Sequence, residues 1–156
     1  MTKIIEGFLK SKDLQYDKPK MPGKLVRYAV PLGGLGGVID KIVVHYIVDQ
    51  EKVQSLVVLP VSAAKNMAKM AEFIVRVNYT MRYGHFDMDF RDGEVRYRMS
   101  FPVEAIKKDP NKFLDMLIGI PSCVVSTFSV GIVDVLQGKS TPEDAINACM
   151  KKASNR

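Results

Sequence analysis

His85-Phe86-Asp87-Met88-Asp89-Phe90-Arg91, then Asp92-Gly93, then Glu94-Val95-Arg96-Tyr97-Arg98-Met99-Ser100-Phe101 is the stretch whose reading decides the fold. Apolar and charged residues alternate with period two on both sides of Asp92-Gly93, and that dipeptide between alternating runs is the strongest short-range signal for a β-hairpin. A two-residue turn there predicts Arg91 opposite Glu94, Phe90 opposite Val95, Asp89 opposite Arg96, Met88 opposite Tyr97, Asp87 opposite Arg98 and Phe86 opposite Met99. One hairpin face is then apolar, and the other carries opposed charges of opposite sign, each pair contributing roughly 0.2–1 kcal/mol. Asp87, Asp89, Arg96 and Arg98 are the residue types of acid–base or phosphate chemistry. Simple cross-strand pairing accounts for all four, so they read as a solvated sheet face.

Upstream of the hairpin, Ser62 offers a helix N-cap, and the helix it opens is expected to reach about Tyr83, with Gly84 as its stop. Met67, Ala71, Ile74, Asn78 and Met81 make one stripe of that helix. Lys65, Lys69, Glu72 and Arg76 make the solvated one, with Glu72 and Arg76 at the i,i+4 spacing that supports a helix. Asn78, a polar member of the apolar stripe, is expected to bond a neighbouring loop backbone rather than to orient a ligand. Earlier still, residues 25–30, 38–48 and 53–59 read as strands rich in β-branched residues. They follow a short amphipathic helix carrying Ile4, Ile5, Phe8 and Leu9. On the second strand Ile39, Val43 and Ile47 point one way, and neither face is polar, which predicts cover on both sides and a homodimer. Between the first two strands, Pro31-Leu32-Gly33-Gly34-Leu35-Gly36-Gly37 reads as a hairpin tip. A phosphate-cradling loop needs a helix N-terminus after its glycines, and here a strand follows.

Downstream, Asp109 caps a helix with Pro110 at its first position, continued by Phe113, Leu114 and Leu117. Pro121 is expected to break or kink it near Ile120, at a cost of roughly 3 kcal/mol. Val124, Phe128, Ile132 and Leu136 keep a four-residue step, so helix resumes to Gly138, and Thr141-Pro142-Glu143-Asp144 opens a last one. Residues 116–133 hold no charge and approach the length of a membrane span. Their hydroxyls, glycines and proline fit better a helix packed inside the domain or in a dimer interface, so no membrane association is expected.

At 156 residues the chain suits a single domain, 1–156, and a chain of that size buries roughly 70% of its unfolded surface. Its 47% hydrophobic and 26% charged residues are ordinary for a globular protein. Cys123 and Cys149 have no redox or zinc spacing and read as buried thiols in a reducing compartment. Lys3, Glu6 and Lys10 interrupt the apolar N-terminus, unlike a secretion signal, so a cytoplasmic location is expected. The net charge of +6 invites a nucleic-acid reading. The lysines are scattered and carry no recognition motif, so only weak, nonspecific nucleic-acid binding is expected. The only histidines are His45 and His85. Neither has a recognisable nucleophile partner, His45 reading as a core-edge residue and His85 as an unremarkable strand start. No catalytic, cofactor-binding or metal-ligating residue is assigned.

The order helix, three strands, helix, two strands, helix resembles the YbjN family of sensory transduction regulators, which shares the fold of type III secretion chaperones. The resemblance is carried by Phe73-Ile74-Val75-Arg76-Val77-Asn78, Gly84-His85-Phe86-Asp87-Met88-Asp89, Asp92-Gly93-Glu94-Val95-Arg96-Tyr97-Arg98, and Val135-Leu136-Gln137-Gly138 with Pro142-Glu143-Asp144-Ala145-Ile146. It implies an α+β fold: an antiparallel sheet of about five strands in α-β-β-β-α-β-β-α order, with helices mainly on one face. It further implies a dimeric, non-enzymatic protein that holds extended partner segments. The expected function is therefore a cytoplasmic, homodimeric, protein- or peptide-binding regulatory or chaperone-like module, with no cofactor. A basic nucleic-acid-binding protein is the alternative, and an uncharacterised enzyme the third reading. The sequence names neither the partner nor the partner-binding residues.

Overall fold

Strict period-two alternation makes strands that bury one face, and the computed structural model, which describes residues 1–33, 39 and 41–155, shows that outcome. Helix α1 (Thr2–Ser11) precedes strands β1 (Val26–Gly33), β2 (Lys41–Val48) and β3 (Lys52–Ser62). Helix α2 (Met67–Thr80) leads into the hairpin of β4 (His85–Met88) and β5 (Glu94–Pro102). Helices α3 (Val103–Lys108), α4 (Pro110–Leu136) and α5 (Pro142–Ser154) follow. The strands form one open antiparallel sheet in the order β1-β2-β3-β5-β4. This is the expected α+β architecture with one additional short helix, α3.

Tyr28 and Val30 of β1, Val44 and Tyr46 of β2, Val57 of β3, Tyr97 of β5 and Phe86 of β4 are buried on the same side of the sheet. They join Leu114, Leu117, Val125, Phe128 and Ile132 of α4 in one core cluster with residues of α1, α2 and α5. Tyr46 donates its hydroxyl to the Leu114 carbonyl at 2.9 Å, so the sheet holds α4 by a buried polar contact as well as by area.

Helix α4 corrects the expected break near Ile120. It runs unbroken for 27 residues through Pro121, which is itself buried. Proline costs roughly 3 kcal/mol in a helix interior. Here Leu117 and Val125, one turn to either side, are fully buried and hold both flanking turns on the core, and burying one such side chain is worth about 1.5–3 kcal/mol. By length and composition α4 is also apolar enough to cross a membrane.

The hairpin register is a second correction. The observed pairs are His85 with Arg98, Phe86 with Tyr97, Asp87 with Arg96 and Met88 with Val95, a slip of two residues from the two-residue turn. Asp89 no longer faces Arg96. Its carboxylate accepts the Arg91 backbone N–H at 2.9 Å and its backbone carbonyl accepts the Gly93 N–H at 2.7 Å, which closes a longer loop through Phe90, Arg91, Asp92 and Gly93. The loop is anchored from outside the hairpin, where the Gly93 carbonyl accepts the Ala63 N–H at 2.8 Å and the Asp92 carbonyl accepts the Ser62 hydroxyl at 2.6 Å. An even slip keeps every side chain on its face, so Phe86 is still buried, while Phe90 moves into the loop and is 66% exposed.

Ser62 therefore ends β3 instead of capping a helix, and α2 starts at Met67 and stops at Thr80, short of Tyr83. Its buried stripe is Met70, Phe73, Ile74 and Val77, rotated from the predicted one so that Met67, Asn78 and Met81 lie at the margin. Cys149 is buried as expected, but Cys123 is exposed. Strand β2 begins at Lys41, and the glycine-rich tip at 34–37, with Val38, lies outside the described residues.

Candidate interaction surface

A sheet offers a partner two kinds of surface, its edges and its uncovered face. Each edge is engaged at one position by the chain itself. On β4, the Asn78 side chain accepts the Phe86 N–H and donates to the Phe86 carbonyl, both at 2.8 Å. A backbone contact is expected of Asn78, though to a loop; here its partner is a residue of strand β4, and the contact satisfies two of the groups that another strand would use. On β1, Asp17 exchanges two backbone hydrogen bonds with Ala29, at 2.8 and 2.9 Å. Two residues on, Pro31 has no N–H to offer. Strand addition, the usual way an open sheet captures a peptide, is thus blunted on both sides.

The face turned away from the helices remains. Register aligns its side chains in rows: Arg27, Ile47, Gln54 and Ser100; Ala29, His45, Leu56, Arg98 and His85; Val58, Arg96 and Asp87; and Pro31 beside Val43. Two districts result. Ala29, Pro31, Val43, Ile47, Leu56 and Val58 make an apolar patch on β1, β2 and β3, half-buried or exposed, with Val43 at 36% exposure. The hairpin contributes the charged district.

In that district the four charges singled out in the sequence do come together. Arg96 Nε reaches Asp87 at 2.7 Å, Arg98 Nε pairs with the other Asp87 oxygen, and Arg96 also approaches Asp89 at 3.9 Å and Glu94 at 3.5 Å. Arg98 Nε also lies 3.1 Å from His85 Nε2. The Arg91 side chain, then its backbone N–H, holds the Asp89 carboxyl well below the usual carboxylate range. Asp87, Asp89 and Glu94 each already have an arginine, and Arg96 and Arg98 each have an acid, so the cluster offers no cradle of unpaired cations for phosphate. Among the described residues no three His, Cys, Asp or Glu side chains converge as metal ligands would.

His45 has a partner that the sequence does not reveal. Arg27 Nε donates to its Nδ1 at 3.0 Å. Burial, and secondarily the Arg27 charge, push its pKa down to about 4. A neutral ring whose acceptor nitrogen is engaged is a poor general base. The only signal in the sequence was the outward alternation of Arg27, Ala29 and Pro31, and finding the pair required the β1–β2 register.

A pH dependence follows. An unfolded His45 titrates near 6.5, so between about pH 6.5 and 4 the unfolded chain binds a proton that the folded one lacks, and stability falls as pH falls through that window. With solvent screening of this partly exposed group the loss is about 1–2 kcal/mol. An NMR titration is expected to place the His45 midpoint near 4. A midpoint at the ordinary value would contradict the burial of this ring beside Arg27.

Residues 3–110 match the model of the YbjN family, described as "Putative bacterial sensory transduction regulator". No curated protein and no solved structure matches. The description is of a regulator and names no reaction, in keeping with a surface whose charges neutralise one another. Both edges, both districts of the open face and the whole sheet lie within the matched residues. The chain belongs to the YbjN family.

Proposed function

We propose that this protein is a cytoplasmic, non-enzymatic regulatory module that binds a protein or peptide segment on the open face of its sheet. The observation that carries the reading is the combination of an uncovered apolar patch at Ala29, Val43, Ile47, Leu56 and Val58 with two edges already engaged by Asp17 and Asn78. A contiguous apolar patch rimmed by charge is the usual mark of an interaction site. The neighbouring arginines and acids fix a partner's orientation more than its affinity. The chaperone-like behaviour implied by the family resemblance, holding an extended segment, fits a flat face better than an edge here.

The test is selection of peptides from a random display library on the immobilised protein, followed by affinity measurement with Leu56→Lys. Leu56 sits at the centre of the patch, between His45 and Arg98. A buried charge there is expected to weaken selected peptides by about a hundredfold, corresponding to about 2.7 kcal/mol. Unchanged affinity in Leu56→Lys, or tight binding of one nucleic-acid sequence that persists at physiological salt, would overturn the reading.

A further inference from the structure

The side of α4 that faces away from the sheet carries a pattern that the sheet-face reading does not use. Its core side buries Leu114, Leu117, Pro121, Val125, Phe128 and Ile132. At 100° per residue the opposite stripe is Lys112, Met116, Gly119, Cys123, Thr127, Val130 and Asp134. Lys112, Gly119 and Cys123 are exposed and the other four are half-buried. A solvent-facing helical stripe normally carries charges throughout, as Lys69, Glu72 and Arg76 do on α2. Here no charge interrupts the stripe between its two ends, a span of roughly 30 Å. The apolar surface widens beside it, where Tyr83 and Met150, 48% and 41% exposed, flank Ile120, Val124 and Thr127.

The stripe is also palindromic. Counted outward from Cys123, its members lie 4, 7 and 11 residues away on either side. An antiparallel crossing of two such helices at Cys123 sets Gly119 against Thr127, Met116 against Val130 and Lys112 against Asp134. Small meets small, apolar meets apolar, and opposite charges meet at both ends. Next to Val130 a recess of about 110 Å³ opens between α4 and α5, lined by Thr127, Gly131, Ala148 and Cys149 among others. The flexible thioether of a facing Met116 is suited to fill such an irregular gap.

We propose that α4 packs antiparallel against α4 of a second copy, about a two-fold axis that passes through Cys123. This isologous contact covers the stripe from Lys112 to Asp134, leaves the open sheet face of each protomer free, and stands or falls independently of peptide binding.

The full-length chain is treated with a short bis-maleimide and, separately, sedimented at on the order of tens of micromolar. The cross-linked dimer is expected to form in the wild type and in Cys149→Ser, and to vanish in Cys123→Ser. Sedimentation is expected to show a dimer that Gly119→Arg weakens by about a hundredfold or more. A Cβ at Gly119 meets nothing within 4 Å, so that variant should keep the wild-type melting temperature. Lys112→Asp should weaken the dimer by about tenfold, and adding Asp134→Lys should restore it. A monomer at these concentrations, a dimer indifferent to Gly119→Arg, or no rescue by the charge swap would overturn the proposal. So would protection of Cys123 by phosphatidylcholine–phosphatidylglycerol vesicles in place of a second copy.

Discussion

Gly93→Ala is expected to destabilise the protein by at least about 3 kcal/mol, a large share of the stability of a domain this size. Gly93 has φ +76, a left-handed conformation that costs a residue with a side chain roughly 1–2 kcal/mol. The larger contribution is steric. A Cβ there would lie 2.3 Å from the Ala64 backbone nitrogen and 2.7 Å from backbone atoms of Ala63. Backbone cannot swing aside as a side chain can. Relief requires the loop to leave β3, breaking the bonds from Ala63 N–H to the Gly93 carbonyl and from the Ser62 hydroxyl to the Asp92 carbonyl. Gly138 supplies the control, since its φ is +68 but a Cβ there meets nothing within 4 Å. Gly138→Ala should cost only about 1 kcal/mol. Urea unfolding of the two variants checks the argument, and equal losses would refute the steric part.

Phe86→Ala is expected to cost about 3–5 kcal/mol. Phe86 is 1% exposed, and its ring stands edge-on to Tyr97 at 5.2 Å and to Phe128 at 6.4 Å, joining β4 to both β5 and α4. Truncation removes those contacts and leaves a cavity at the point where three elements meet. The strand itself should survive, because Asn78 and β5 hold Phe86 through its backbone. Denaturant unfolding is therefore predicted to shift its midpoint with little change in slope, and a loss below about 1.5 kcal/mol would contradict tight packing of the Phe86, Tyr97 and Phe128 rings.

These two sites also show what the residues disclosed and what they withheld. The alternation around Asp92-Gly93 correctly assigned Phe86, Tyr97 and Met99 to the core, since faces depend only on odd or even position. It failed on the register, because Asp89 captures the Arg91 N–H and the loop is pinned by Ser62 and Ala63 from thirty residues upstream in the chain, a tertiary contact that no turn rule contains. Asn78 was legible for the opposite reason: a lone amide in an apolar stripe must find a backbone partner nearby. Asp17, which blunts the other edge, sits in a connector without periodicity and left no trace. The Arg27–His45 pair depends on strand register in the same way. On α4, apolar content marks residues 116–133 for burial without saying which side is covered, and Cys123 points outward. At Pro121 the packed turns on either side outweigh the local cost of proline, and the helix does not break.

The central claim is that partners dock on the open face and not along an edge. It is tested most directly by mapping backbone amide shifts as a selected peptide is titrated into the labelled protein. The largest changes are predicted on Val43, His45, Ile47, Leu56 and Val58, while the amides of Asp17, Ala29 and Phe86, engaged at the two edges, stay in place. Changes concentrated on Asp17 and Arg27 or on Phe86 and Asn78, with the face unperturbed, would contradict it.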